Sequence, residues 1–290
     1  MPETNLTRQI TKAQEIDFTN QFGNNIKRLL ELLSVQRRIP VGSGTTLRTY
    51  KSAKVTLDGT KVEPGAVIPL SQVEMEEADK IEIEWDKKRK AVPAEDIQKY
   101  GFDRAVEMTD KALIRELQKG LRQSMIAQLE TGTGEATGNG LQQALAQGWG
   151  KVQVAFEDDA VRTIAFVNPL DVAEYNGNAQ ITIQTAFGLN YVENFLGVDV
   201  AIITSLVEEK KAYVTAADNL VFAYVDVRGE LSNAFDLTTE ETGIIGVTKD
   251  INKQRLTSET VTIYGSALFA ERLDGVVKVT ITETTETPAA

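Results

Sequence analysis

From Asp103 to Glu130, apolar residues return on one face of a helix: Val106, Leu113, Leu117, Leu121, Met125 and Leu129 recur at four- and seven-residue steps. A helix of about 28 residues at 1.5 Å per residue runs about 42 Å. A rod of that length outreaches the core of a small domain, so the other elements must be laid along it as on a spine. Asp103, after Gly101-Phe102, is the expected N-cap and Gly132 the expected C-cap.

The sequence before this spine has two characters. Residues 1–17 are polar and lack periodicity, which predicts an extended arm. Between Phe18 and Arg38, Phe22, Ile26, Leu29, Leu30 and Leu33 form a helical stripe, which Pro40 and Gly42-Ser43-Gly44 should stop. The period then changes to two. Ala53, Val55 and Leu57 alternate with Lys54, Thr56 and Asp58, and Asp58-Gly59 marks a turn. After a loop with Pro64-Gly65 and Pro69, Ile81, Ile83 and Trp85 alternate with Glu82, Glu84 and Asp86. The pattern is a long two-stranded ribbon with no third strand nearby in sequence. Such a ribbon is marginal alone in water and leaves edge groups unpaired. Its charge is segregated: Glu74, Glu76, Glu77, Asp79, Glu82, Glu84 and Asp86 precede Lys87-Lys88-Arg89-Lys90. A charge run of this kind is usually a solvated face. Here the ribbon's length and its lack of an internal partner favour an arm that lies on a neighbouring subunit and pairs charges there. The candidate contact residues are Glu82, Glu84, Trp85, Asp86, Lys87, Lys88, Arg89 and Lys90.

Beyond the spine, Thr131 to Gly140 invites a phosphate-loop reading. The spacing is not G-x-G-x-x-G, no Lys-Ser/Thr follows, and the run leaves a helix, so a flexible connector is expected. Short strands are predicted near Val152–Phe156, Thr163–Val167, Val200–Ile203 and Val221–Val227. Asn168-Pro169-Leu170-Asp171 opens a short helix. The alternation predicts an α/β domain over residues 141–250. Towards the C-terminus, Val261, Ile263, Gly265, Ala267 and Phe269 alternate with polar residues, Asp274-Gly275 turns the chain, and Val277, Val279 and Ile281 alternate again. This predicts a hairpin with a long first strand, followed by a solvated tail from Thr282.

Composition decides the chemistry. The chain has 31 Lys+Arg, 42 Asp+Glu, no His and no Cys. Without imidazole or thiol there is no zinc ligand set, no Cys or Ser–His nucleophile and no disulfide framework. The densest carboxylate group of the second half, Glu157-Asp158-Asp159, reads as a turn, because adjacent residues do not face each other across a substrate. The expectation is a protein that is not an enzyme, with no cofactor and no metal. A net charge of −11 disfavours tracking a phosphate backbone, yet suits a wall that encloses nucleic acid without adhering to it. No run of 18 apolar residues predicts a membrane span. The start, Met1-Pro2-Glu3-Thr4-Asn5, lacks the marks of a signal peptide, so the chain reads as cytoplasmic and the Asn5-Leu6-Thr7 sequon as without consequence.

The order of these elements resembles the major capsid protein of tailed bacteriophages, a fold shared with encapsulins. Three stretches carry the likeness beside the order itself: Phe166-Val167-Asn168-Pro169-Leu170-Asp171, Leu196 through Ser205, and Tyr213 through Leu220. The resemblance implies an α+β tailed-phage capsid fold. Its parts would be an N-terminal arm and helix over 1–47, an extended β-hairpin loop over 48–92, and the spine helix of a peripheral domain over 93–140. An α/β axial domain would follow over 141–250, and peripheral-domain strands over 251–290. It further implies a homo-oligomer of hexamers and pentamers, an icosahedral virion capsid around double-stranded DNA, assembled in the bacterial host cytoplasm. Because the loop pattern starts by about Arg48, no scaffold-like segment precedes it, and a separate scaffolding protein and a portal are the expected partners. An encapsulin-like shell and another phage structural protein, such as a tail component, are the alternatives.

Overall fold

The computed structural model describes residues 6–56, 61–62, 67, 70, 72–156, 161–176, 183–186 and 189–282. The turns expected at 58–59 and 64–65, the triplet 157–159 and the tail from 283 lie outside the described residues. The chain runs through α1 (Leu6–Leu32), β1 (Arg37–Val41), β2 (Thr45–Thr56), β3 (Gln72–Ile83), β4 (Asp86–Pro93), α2 (Ala94–Tyr100) and α3 (Phe102–Glu130). It continues with β5 (Gly134–Asn139), α4 (Gly140–Ala155), β6 (Thr163–Val167), α5 (Pro169–Asn176), β7 (Gln184–Ala186), β8 (Leu189–Phe195), β9 (Val198–Ile203) and β10 (Lys211–Ala216). The remaining elements are β11 (Leu220–Val225), α6 (Glu230–Ala234), β12 (Thr238–Thr239), β13 (Ile245–Asn252), β14 (Thr257–Tyr264), β15 (Ser266–Ala270) and β16 (Val276–Thr282).

The expected spine is present as α3. It buries Val106, Ile114, Leu117, Leu121, Met125 and Leu129 along one side, with Leu113 half-buried. Gly101, at φ 82°, ends α2 and starts α3, a backbone conformation that L side chains rarely adopt. Asp103 therefore is not the cap. It lies in the first turn, where its charge complements the helix dipole. The helix ends at Thr131 rather than at Gly132. The buried side of α3 shares one core with Phe18, Phe22, Ile26, Leu29, Leu30 and Leu33 of α1 and with Ile164, Phe166, Val200 and Ile202 of the large sheet.

That sheet has seven strands in the order β5-β16-β10-β6-β9-β8-β7, with β6–β9 and β16–β5 parallel. On its other face α4 buries Leu141, Ala144, Leu145 and Val152 against Val214, Val277 and Val279. A four-stranded antiparallel sheet (β12-β13-β14-β4) and a three-stranded sheet (β1-β11-β15) complete the body, and β2 and β3 form a separate two-stranded sheet. Asn168 caps α5 as expected, its side-chain oxygen accepting the Leu170 N–H at 2.8 Å.

Several expectations are corrected. The polar arm of residues 1–17 is helical from Leu6, continuous with the apolar stripe; its described contacts are polar, so no periodicity announced it. Pro40 does not only stop a helix but sits inside β1, tolerated because β1 is the edge of its sheet. The connector at 131–140 contains β5, and its glycines serve close packing. A Cβ on Gly138 would lie 2.3 Å from the backbone nitrogen of Ala144. Val152–Phe156 is the end of α4, where Ala144, Leu145, Gly148 and Val152 recur at helical spacing and are buried. The C-terminal hairpin does not form: β14, β15 and β16 join three different sheets. Gly265 makes the break, since a Cβ there would meet the carbonyl oxygen of Glu84 at 2.8 Å. β16 consequently lies in the seven-stranded sheet, and β4 pairs with β14 in the four-stranded one.

Candidate intersubunit surface

The ribbon is built as the alternation implies. β2 and β3 pair antiparallel from Thr45↔Ile83 to Thr56↔Gln72, with irregular register between Arg48 and Ser52. No third strand among the described residues joins them. The root is firmly seated. Ile83 is buried, and Leu47 and Ile81 pack half-buried against Val221, Val225, Ala267 and Phe269. Tyr50 donates its N–H to the Glu271 carbonyl at 2.9 Å, and its own carbonyl accepts the Leu273 N–H at 2.8 Å. Along the ribbon, Arg48–Glu77 at 2.5 Å and Lys51–Glu76 at 2.9 Å pair across the two strands. Both pairs are exposed, so each contributes a few tenths of a kcal/mol.

The eight candidate residues do not act as one surface. Glu82, on β3, and Glu84, just beyond it, are exposed, while Trp85 turns into the apolar root beside Ile39, Val41 and Leu47. Asp86 opens β4, accepts the Tyr264 hydroxyl at 2.6 Å and pairs with Lys88 at 2.8 Å. Burial pushes the Asp86 carboxyl up, but those two partners outweigh it and hold it below the usual carboxylate range; Tyr264 is pushed well up by its burial and by Asp86.

Strand geometry splits the four bases, because successive side chains of β4 point to opposite faces. Lys87 and Arg89 lie on the outer face, opposite Ile263 and Val261 of β14, and Arg89 pairs with Glu259 at 2.5 Å. Lys90 shares the inner side with buried Val92. Its ammonium lies 2.6 Å from Asp110 Oδ1 and donates to Thr109 Oγ1 at 2.5 Å and to the Val106 carbonyl at 3.1 Å. Burial lowers the Lys90 pKa against the pull of Asp110. Of the four bases only Lys87, Lys88 and Arg89 are exposed, while the Lys90 ammonium is taken up inside the molecule.

Sequence reasoning missed the polar clamp beneath. Asp110 Oδ2 accepts a hydrogen bond from Lys249 Nζ at 2.7 Å, and the Lys249 side chain is 1% exposed. Lys249 also donates its backbone N–H to Glu15 Oε1 at 2.6 Å; Glu15 Oε2 accepts the Thr238 hydroxyl at 2.5 Å and pairs with Lys12 at 3.1 Å. The clamp ties α1, α3, β4 and β13 together. Its one sequence signal was a carboxylate, Asp110, in the apolar stripe between Val106 and Ile114.

The rest of the described surface offers little chemistry. Tyr213 has its hydroxyl pushed up to about 12 by burial, with Glu130 and Glu208 adding to the effect. No three His, Cys, Asp or Glu among the described residues are grouped to hold a metal ion, and no described helix is long and apolar enough to cross a membrane.

A spine helix against a mixed seven-stranded sheet, with a two-stranded ribbon rooted on the smaller sheet β1-β11-β15, is the arrangement of the tailed-phage capsid fold. No protein-family model and no curated protein matches the chain. Solved structures do. The capsid of cyanophage P-SCSP1u aligns at TM-score 0.56 and 12% identity, over 88% of each chain. An encapsulin complex from Synechococcus elongatus aligns at 0.55 and 12% identity over 90% of each. A virus-like particle from Pyrococcus furiosus aligns at 0.50 and 12% identity, over 90% of this chain and 97% of that one. At such identities the likeness defines the fold: this chain has the architecture shared by phage capsid proteins and encapsulins.

Proposed function

We propose that the protein is a non-enzymatic structural subunit that assembles with copies of itself into hexamers and pentamers of an icosahedral phage capsid around double-stranded DNA. A separate scaffolding protein and a portal complete the assembly, in the bacterial host cytoplasm. The observation that carries this reading is the ribbon. Two strands of twelve residues each stand without a third among the described residues, with Glu74, Glu76, Glu77 and Lys80 exposed and the root held by the hydrogen bonds of Tyr50 and by buried Ile83. A two-stranded ribbon of this length needs a surface to lie on. The complementary surface is the outer face of the four-stranded sheet on a neighbouring copy, where half-exposed Val261 and Ile263 are flanked by Lys87 and Arg89. The ribbon's exposed Glu74, Glu82 and Glu84 supply the opposite charge.

The test is the solution mass of the recombinant protein, with negative-stain microscopy of any large fraction, alone and co-expressed with its genomic neighbours. Uniform hollow particles are expected. A monomer under both conditions overturns the reading. The equally good alignment with an encapsulin favours a second reading, a shell around protein cargo; particles whose content is protein and not nucleic acid decide for it.

A further inference from the structure

One residue in four of this chain is charged, yet two stretches of the large-sheet body are almost free of charge. The first is α4, whose 16 residues carry only Lys151. Its buried side, with Leu141, Ala144, Leu145, Gly148 and Val152, lies over β5, β16 and β10. Its outer side exposes Gln142, Ala146 and Gln147, with Trp149 at 42% and Val154 at 76%. The solvent side of a helix ordinarily carries charge. An exposed tryptophan among uncharged neighbours is instead the composition of an interface centre. The second stretch runs from Tyr175 to Val192, where no residue is charged. Its described part includes β7, which ends the sheet on the other side and pairs only with β8 among the described residues. Ile183, Gln184, Thr185 and Asn190 are exposed there. The Thr185 hydroxyl donates to Asn190 Oδ1 at 3.1 Å, and the Tyr191 hydroxyl to Gln184 Oε1 at 2.8 Å, so this edge ties its polar groups to one another.

From β5 to β7 the sheet spans six strand spacings, about 29 Å at about 4.8 Å each, so one copy cannot join its two uncharged surfaces. Surfaces at opposite edges of one body are what a head-to-tail contact between copies uses. Charge and area both point to a copy as the occupant. Copies of net charge −11 repel one another, and least where the surface is uncharged. The α4 face is about 24 Å long and about 10 Å wide, or about 240 Å². A stable interface needs about 800 Å² from each partner. A separate partner would have to hold on by the small face alone, whereas a copy already engaged by the ribbon would not. We propose that the outer face of α4 on one copy docks on the β7–β8 edge of the next, so that the large sheets follow one another head to tail around a closed ring. The proposal rests on the shell-subunit reading and names the surfaces by which its rings close. An uncharged contact has no ion-pair geometry to satisfy, so it tolerates the two rotations that hexamers and pentamers require.

The chain has no cysteine, so engineered thiols react without background. The full chain carrying both Gln147→Cys on α4 and Thr185→Cys on β7 is prepared alone and with its genomic neighbours, treated with a short bismaleimide and run on a denaturing gel. Both positions are exposed, and they are too far apart to be bridged within one copy. A ladder of multimers ending at pentamer and hexamer is expected, while each single-cysteine chain stays monomeric on the gel. Dimers from Gln147→Cys alone would mean that α4 meets α4, and overturn the head-to-tail order. Ala146→Glu with Val154→Glu, both exposed, should lower the multimer yield of the two-cysteine chain about tenfold or more, because each contact would then bury unpaired carboxylates. Circular dichroism is the control for folding, and an unchanged yield overturns the site. Particles without a ladder overturn the ring contact and leave the shell reading standing. A ladder without particles supports the contact and removes the closed shell, and the absence of both overturns both.

Discussion

Gly138 carries more of the fold than its neighbours in a glycine-rich run suggest. Its Cα faces the first turns of α4, and a methyl group there would sit 2.3 Å from the Ala144 nitrogen and 2.5 Å from its Cα. These are backbone atoms and cannot rotate away. Gly138→Ala should destabilise the protein by about 3 kcal/mol or more, the upper range for overpacking, read as a lower denaturation midpoint. The run looked like a connector because glycine chosen for close approach and glycine chosen for freedom are the same letter. Asp110 is the opposite case, a charge kept inside. It holds Lys90 and Lys249, so Asp110→Asn leaves two buried ammonium groups without their counter-ion and should cost about 3–5 kcal/mol in the same assay. Asp86 sets part of the acid limit. Its carboxyl is held below its ordinary value of 3.8. A carboxylate depressed in the folded state contributes stability above its unfolded pKa and loses that contribution as pH falls through the folded one. Asp86→Asn should therefore show a smaller fall in melting temperature from pH 7 to pH 3 than the wild type.

Elements were legible where their signal is local and hidden where it is not. The α3 stripe and the pairing of β2 with β3 depend on near neighbours, and both are present, although Trp85 and Asp86 lie beyond the second strand. β1 was hidden because Pro40 ordinarily ends a strand, and only its edge position beside β11 makes it permissible. The first half of α1 was hidden because its described anchors, Lys12, Gln14 and Glu15, find partners on Asp236, Asp103, Thr238 and Lys249, far away in sequence. β4 was not recognised as a separate strand because DKKRKAVP reads as solvated until Val92 and Lys90 are seen to turn inward. Of the candidate contact residues, the charges were legible and their sides were not, since the facing depends on the β14 register. The ribbon itself invites a cut. Replacing residues 52–76 by Asn-Gly retains Tyr50 and the seated root. The variant should be soluble and folded, with an unchanged circular dichroism spectrum, and should form no closed particles by microscopy.

At the scale of the whole molecule the acids of the ribbon and the bases of β4 are complementary in sign, which a single copy cannot exploit because both are rooted on the same body. Lys87→Glu with Arg89→Glu should slow particle formation, measured by light scattering. Because the proposed contact is between exposed groups, the defect should shrink as salt rises and the wild type itself slows. Equal rates at every ionic strength would mark those bases as a solvated edge, the usual guard of an exposed strand.

The position of β16 has a temporal side. It lies between β10 and β5, and its Val277 pairs with Gly134 at the foot of the spine. During synthesis, β5 emerges with no strand to hold it until the chain beyond residue 276 has been made, and the groove that β16 must fill stays open meanwhile. Pairings this distant in sequence form late and slowly. A nascent chain is thus unable to complete the large sheet until its last strand has been made. On the shell-subunit reading, a finished body to which ribbon and docking face are both fixed exists only in finished molecules, a delay that resides in strand order alone.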